Sequence, residues 1–330
     1  MDGGQGASSG LSSASGRSAQ SEIARERVSG IQRERIVRAM LQEISEGGME
    51  NLTVGLIVAR AGVSRRTFYE IFQDRQDCLF AAFADGIGRI AQEVIPCYEG
   101  PGIWRERIRE SLVAALLFLD HEPCLARLLI VDSLGAGAAL LQRRWLAVAQ
   151  VVKAIEEGGR KGKDGGMPSS LIAEGLVGAV LSIVHGRIVE RGNDGSPVST
   201  HLIELVNPLM SMIVLPYLGS AAARQELQRP SPTLSPRNGS VVRDPLLALD
   251  MRLTYRTVRV LTTLRSRPGS SNRVVAEESG ISDQGQISKL LKRLQGFGLV
   301  ENSAAGGSNG APNAWMLTPN GMEVQGAFGS

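Results

Sequence analysis

The stretch 53–72, TVGLIVARAGVSRRTFYEIF, admits few folds. Val54, Ile57, Val58 and Ala61 recur at the spacing of one helix face, and Thr53 stands where a side-chain oxygen caps the first turn. Gly62 supplies the backbone freedom needed just past a helix end, and Ser64 caps the next helix. Two short helices joined by such a turn form a helix-turn-helix. In the second helix Phe68 and Phe72 face the core, whereas Arg65, Arg66, Thr67 and Tyr69 project outward. Guanidinium and hydroxyl donors of that kind suit phosphates and the edges of guanine or thymine.

The same logic recurs near the other end of the chain. Val274 to Ser279 reads as a short helix, Gly280 as the turn and Ser282 as a cap, with a second helix over 283–294. Gln284, Gln286 and Ser288 fall where base edges would lie, and Lys289, Lys292 and Arg273 nearer the phosphates. Two strand-like runs, 299–302 and 313–317, flank a Gly/Ser-rich tip at 304–312 and read as a hairpin.

At 330 residues the chain is long enough for two or three folded units. Residues 1–30 are Gly/Ser/Ala-rich without periodicity and read as a disordered arm. Residues 220–245 carry Pro230, Pro232, Pro236 and Pro245 among Ser and Arg, the composition of a semi-extended linker. Between them apolar residues keep helical spacing, predicting helices at 31–46, 54–61, 65–71, 75–97, 103–119, 123–132, 137–158, 169–190 and 199–217. The fold class is mainly α, with a small α+β unit at 246–326.

Several functions are excluded at this level. The middle of the chain holds no nucleophile elbow, no phosphate loop after a strand and no acid–base pair, so an enzyme is not expected. His121 and Cys124 have the spacing of a metal half-site but no second pair, and no cofactor is expected. Three cysteines without paired spacing argue for a reducing compartment, and the N-terminal stretch has no signal-peptide core, so a cytoplasmic protein is expected. Net charge is only +3, so any nucleic-acid affinity must reside in a local patch. The most apolar windows, 171–184 and 202–218, fall short of the roughly 20 residues of a membrane span and carry Glu174 and Glu204, so they read as buried helices.

Thr53, Ala61-Gly62-Val63-Ser64, Thr67-Phe68-Tyr69, Phe72 and Arg75 together resemble the TetR/AcrR family of bacterial transcriptional regulators. The likeness is strong over about the first 50 residues from 31 and continues to 219 by helical layout alone. Val58 and Ile71 depart from the family pattern, where Ala and an aromatic residue or His are common. The resemblance implies a DNA-binding head at 31–75, with Thr53, Ser64, Arg65, Arg66, Thr67, Tyr69 and Arg75 at the DNA. It further implies a domain at 76–219 that binds a small effector and forms a homodimer through helices 169–190 and 199–217. Trp104, Arg127, Trp145 and His185 are the expected pocket residues, drawn from a scatter of aromatic and polar side chains that also includes Phe118, His121, Glu174 and Arg187. Ala276, Gly280-Ile281-Ser282, Ser288-Lys289, Arg293-Leu294 and Gly298-Leu299-Val300 resemble the winged helix-turn-helix of MarR-like regulators. The expected function is a ligand-responsive repressor acting on double-stranded DNA, with a ligand-independent architectural or protein-interaction factor as the alternative.

Overall fold

The computed structural model describes residues 9–157, 170–193, 201–230, 232, 254–281, 283–303 and 313–329. The first eight residues of the expected arm, linker residues 233–253, Ser282 and the tip of the hairpin lie outside the described residues. Among the described residues the chain is mainly helical with one small sheet. The helices are α1 (Ser9–Gly47), α2 (Val54–Ala61), α3 (Arg65–Ile71), α4 (Arg75–Glu99), α5 (Trp104–His121), α6 (Pro123–Ile130), α7 (Ala138–Glu156), α8 (Ser170–Asn193) and α9 (Val206–Leu227). They continue with α10 (Tyr255–Ser266), α11 (Asn272–Ser279), α12 (Gln284–Gly296) and α13 (Pro319–Gly329). Strands β1 (Val300–Asn302) and β2 (Trp315–Leu317) pair antiparallel with Glu301 opposite Met316.

Two expectations about unstructured segments are corrected. Residues 9–30 are helical, because α1 begins at Ser9 and not near 31. No proline interrupts that stretch, and a helix nucleated at 31–47 extends at small cost per residue. Likewise α9 runs past the expected linker start to Leu227, turning at Gly219, whose φ of 79° is one that glycine tolerates. Ala221 to Leu227 are good helix formers, and ion pairs hold their far end in place.

The described residues fall into two compact units, those within 1–36, 57–72 and 239–330 and those within 37–56 and 73–238. In the first, Ile57, Val58, Ala61, Val63, Phe68 and Phe72 are buried under the turn between α2 and α3. Its C-terminal module packs α10 against α11, β2 and α13, and α11 against α12, around Leu261, Val275, Ile287, Leu291, Leu294 and Trp315. Helix α13 is one the sequence reading missed. Pro319 at its first position and the Thr318 hydroxyl, which accepts the Gly321 amide at 3.0 Å, are ordinary helix-start signals.

In the second unit α4 packs on α5 and α6, α5 on α9, and α8 on α6 and α7. Trp104 Nε1 donates to the Ala154 carbonyl at 3.0 Å, and Tyr98 donates to Glu157 at 2.6 Å, so both rings tie to the C-terminal end of α7. Burial, helped by that bond to Glu157, pushes the Tyr98 hydroxyl up to about 12. Segments 170–191 and 202–227 reach 22 and 26 residues and are long and apolar enough to cross a membrane, which corrects the shorter windows read from sequence. Much of α8 is uncovered: Leu171, Ile172 and Ile183 are exposed, as are Leu215 and Leu218 on α9.

Candidate nucleic-acid interface

The first helix-turn-helix is built by its caps. Thr53 Oγ1 accepts the Leu56 amide at 3.2 Å, opening α2. Val63 N then donates to the Val58 carbonyl at 3.1 Å while Gly62 takes a φ of 64°, closing it. Ser64 Oγ accepts the Thr67 amide at 3.0 Å and shares a 2.9 Å hydroxyl bond with Thr67, which fixes where α3 starts. Phe68 is fully buried, with its ring 5.7 Å from Phe72 and 5.4 Å from Tyr69. That anchor leaves Tyr69 57% exposed and turns Arg65 and Arg66 to solvent, Arg66 beside Glu70 at 2.9 Å. Thr67 is half-buried. Arg75 is exposed and already donates to the Leu52 carbonyl, bracing the start of α4 against the segment that leads into α2.

The C-terminal module repeats the device with other residues. Asp283 is the N-cap of α12, accepting the Gly285 and Gln286 amides at 2.7 and 3.2 Å, and these bonds hold its carboxyl below the usual range. Gln284, Gln286, Lys289 and Lys292 are exposed on one stretch of α12, and Arg273 is exposed on α11. Two of the polar candidates also have internal partners. Ser288 accepts from Asn272 Nδ2 at 2.8 Å, and Gln286 accepts from Arg256 at 2.8 Å. Asn272 also accepts from Trp315 Nε1 at 2.6 Å, so one side chain joins α11, α12 and β2.

The expected ligand residues are not brought together. Trp104 is buried, bonded to α7, and its ring meets that of Tyr217 at a tilt of 59° with centroids 5.3 Å apart. Arg127 pairs with Asp132 at 3.5 Å, Trp145 is 69% exposed on α7, and His185 lies half-buried on α8. A groove of about 650 Å³ opens elsewhere, along α4 and α5, and none of those four lines it. Its apolar lining is Val113, Ala114, Leu117 and Phe118, and its polar lining Glu93, Cys97, Glu106, Arg109, Glu110, His121 and Arg229. Burial and the charges of Glu110 and Glu93 push the Cys97 thiol up. The signal was present in the sequence: positions 106, 110, 113, 114, 117, 118 and 121 lie on one face of a helix, polar at one end and apolar along the middle. Of the scattered residues read from sequence, Phe118 and His121 are lining residues. Among the described residues no group of three His, Cys, Asp or Glu side chains gathers as a metal site.

A helix-turn-helix with a buried aromatic anchor and an exposed polar face defines the class of helix-turn-helix DNA-binding proteins. Residues 36–82 match the family model described as bacterial regulatory proteins, tetR family. The chain is accordingly a DNA-binding transcription regulator whose helix-turn-helix segment is of the TetR type. No curated protein matches it. Among solved structures it is similar to the fatty acid degradation regulator FadR from Bacillus halodurans, at 19% identity and a TM-score of 0.49 over 56% of this chain and 94% of that one. FadR from Bacillus subtilis in complex with stearoyl-CoA gives 17% and 0.48 over 55% and 97%. SmeT, the repressor of the Stenotrophomonas maltophilia multidrug efflux pump SmeDEF, gives 18% and 0.48 over 62% and 96%. At these values the likenesses carry no argument about ligand or operator.

Proposed function

We propose that the protein is a homodimeric, ligand-responsive repressor that acts in the cytoplasm and reads a pseudo-palindromic DNA site with α3. The observation that carries this reading is the presentation of Arg65, Arg66 and Tyr69 to solvent above the buried Phe68, a rigid placement of donors at one helix start. Thr53, Ser64 and Thr67 lie at the two helix starts beside them, and Arg75 supplies charge for the phosphates. The exposed apolar faces of α8 and α9 supply the surface for a second copy, which would set two α3 helices about 34–36 Å apart or a multiple of it. Gly175 and Gly178 have open space beyond them, which permits close helix approach.

The C-terminal module is read as a winged helix-turn-helix that adds DNA contacts through Gln284, Gln286, Ser288, Lys289 and Lys292. A small effector is assigned to the groove along α4 and α5. Helix α4 starts at Arg75 and carries Glu93 and Cys97 to that groove, so a tilt of α4 couples effector to DNA. Such coupling is worth about 1–3 kcal/mol and is reciprocal.

The test is selection of a preferred duplex from random sequence, followed by titration of wild type, Arg65→Ala and Tyr69→Ala. Each variant should lose about 1–3 kcal/mol of specific affinity while non-specific binding persists. Equal affinity of the double variant and wild type would overturn the assignment. Sedimentation in detergent-free buffer separates a soluble dimer from a membrane-bound form, which would require detergent.

A further inference from the structure

Val28 on α1 is 4% exposed, although a side chain on a lone helix would be largely open to water. Its cover is the core of the C-terminal module: among the described residues, the cluster that contains Val28 is otherwise made of residues between 258 and 324. One turn further on, Ile31 packs against the same cluster, as do Tyr255, Leu290 and Phe297. Val28 and Ile31 stand on the same helix face, in a stretch otherwise rich in Arg, Glu and Ser. Two residues beyond Ile31, the Arg33 guanidinium lies 5.5 Å from the centre of the Phe72 ring, which in turn packs on Phe68 of α3. The described residues within 1–36, 57–72 and 239–330 share one compact unit.

We propose that α1 holds the C-terminal module as a fixed second reader, so that α3 and α12 of one protomer address the duplex in one invariant phase. The proposal rests on the reading of α12 as a DNA-binding helix and adds what sets its position: the α1 contact, not the segment at 233–253. The two arrangements differ physically. A module on a flexible tether finds its sub-site at an effective concentration that falls roughly as the −3/2 power of tether length, and it tolerates changes in spacing. A docked module ignores tether length and tolerates no change in spacing, because about 5 bp of added duplex turns its sub-site to the opposite side of the helix.

Three measurements on the full chain test this. First, about 5 bp is inserted between the α3 half-site and the flanking segment protected by the C-terminal module; flanking protection should be lost. Retained protection and affinity would show a tether and overturn the proposal. Second, insertion of about 20 Gly/Ser residues after Asn238 should leave affinity and footprint unchanged, whereas a several-fold loss overturns it. Third, hydrogen exchange without DNA should show faster exchange in α10 and α12 for Val28→Asp than for wild type, with α5 unaffected; identical exchange overturns docking independently of any DNA result. If exchange changes as expected but wild type protects no flanking DNA, the docking holds and the DNA-binding reading of α12 falls.

Discussion

Arg109 NH1 lies 2.6 Å from Glu226 Oε2, joining residues 117 positions apart across a fully buried carboxylate. Arg105 bonds the other oxygen of Glu226, and Arg109 also donates to Asn207 Oδ1 at 2.7 Å. Asn207 in turn donates to the Arg229 carbonyl at 2.7 Å. This network lashes the tail of α9 to α5 and builds the polar wall of the groove, since Glu106, Arg109 and Arg229 all line it.

Glu226→Ala should therefore cost about 3–5 kcal/mol, because it leaves buried guanidinium groups without their carboxylate. A Glu226→Leu/Arg109→Met pair should recover part of that loss, since it removes one of the two guanidinium groups the carboxylate holds, while Arg105 keeps its 3.1 Å bond to Gln225. Urea denaturation of the two variants beside wild type measures both effects. A Glu226→Ala protein as stable as wild type would refute the account.

Asp120 predicts a second weak point. Its oxygens accept the Leu202 and Ile203 amides, each at 2.9 Å, and the Arg191 guanidinium at 2.8 Å, so one nearly inaccessible carboxylate joins α5, the end of α8 and the turn that opens α9. Asp120→Ala takes the acceptor from the Leu202 and Ile203 amides, at about 1–3 kcal/mol each. Thermal unfolding should show the loss. Hydrogen exchange should place it at 202–205.

In the C-terminal module the critical position is Gly321. A Cβ there would stand 1.9 Å from the Leu299 carbonyl oxygen, which is backbone and cannot step aside. Gly321→Ala should push α13 off the start of β1 and destabilise the module by about 1–3 kcal/mol. Gly326→Ala, where the space is open, serves as the control with little change. Differential scanning calorimetry compares the two.

The groove wall should respond to acid. Hydrogen bonds from Arg229, opposed by burial, hold the Glu106 carboxyl below its ordinary value of 4.5. A depressed folded value contributes stability that is present above 4.5 and is lost as pH falls through the lower folded value. The stability difference between wild type and Arg229→Gln should accordingly be steady at neutral pH and shrink below pH 4.5. Denaturation midpoints taken from pH 7 down to pH 3 check it; a constant difference would disprove it.

Local chemistry made the helix-turn-helix legible in the sequence. The caps at Thr53 and Ser64, the Gly62 turn and the buried Phe68 are decided by neighbours within four residues, and the structure reproduces each of them. Helix spacing between 54 and 156 and the pairing of 300–302 with 315–317 were legible for the same reason: helical and alternating periodicity is written into consecutive residues. Tertiary structure alone decided what depends on long-range partners. Composition marked 9–30 as an arm and 220–227 as a linker, yet Val28 finds cover in a core more than 200 positions away, and Glu226 finds Arg105 and Arg109 on α5. Of the groove only the α5 face is written in the sequence; the cavity itself is a property of the space between helices. Trp104 and Trp145 look alike as aromatic residues in a sequence, but packing buries one against α7 and leaves the other facing water.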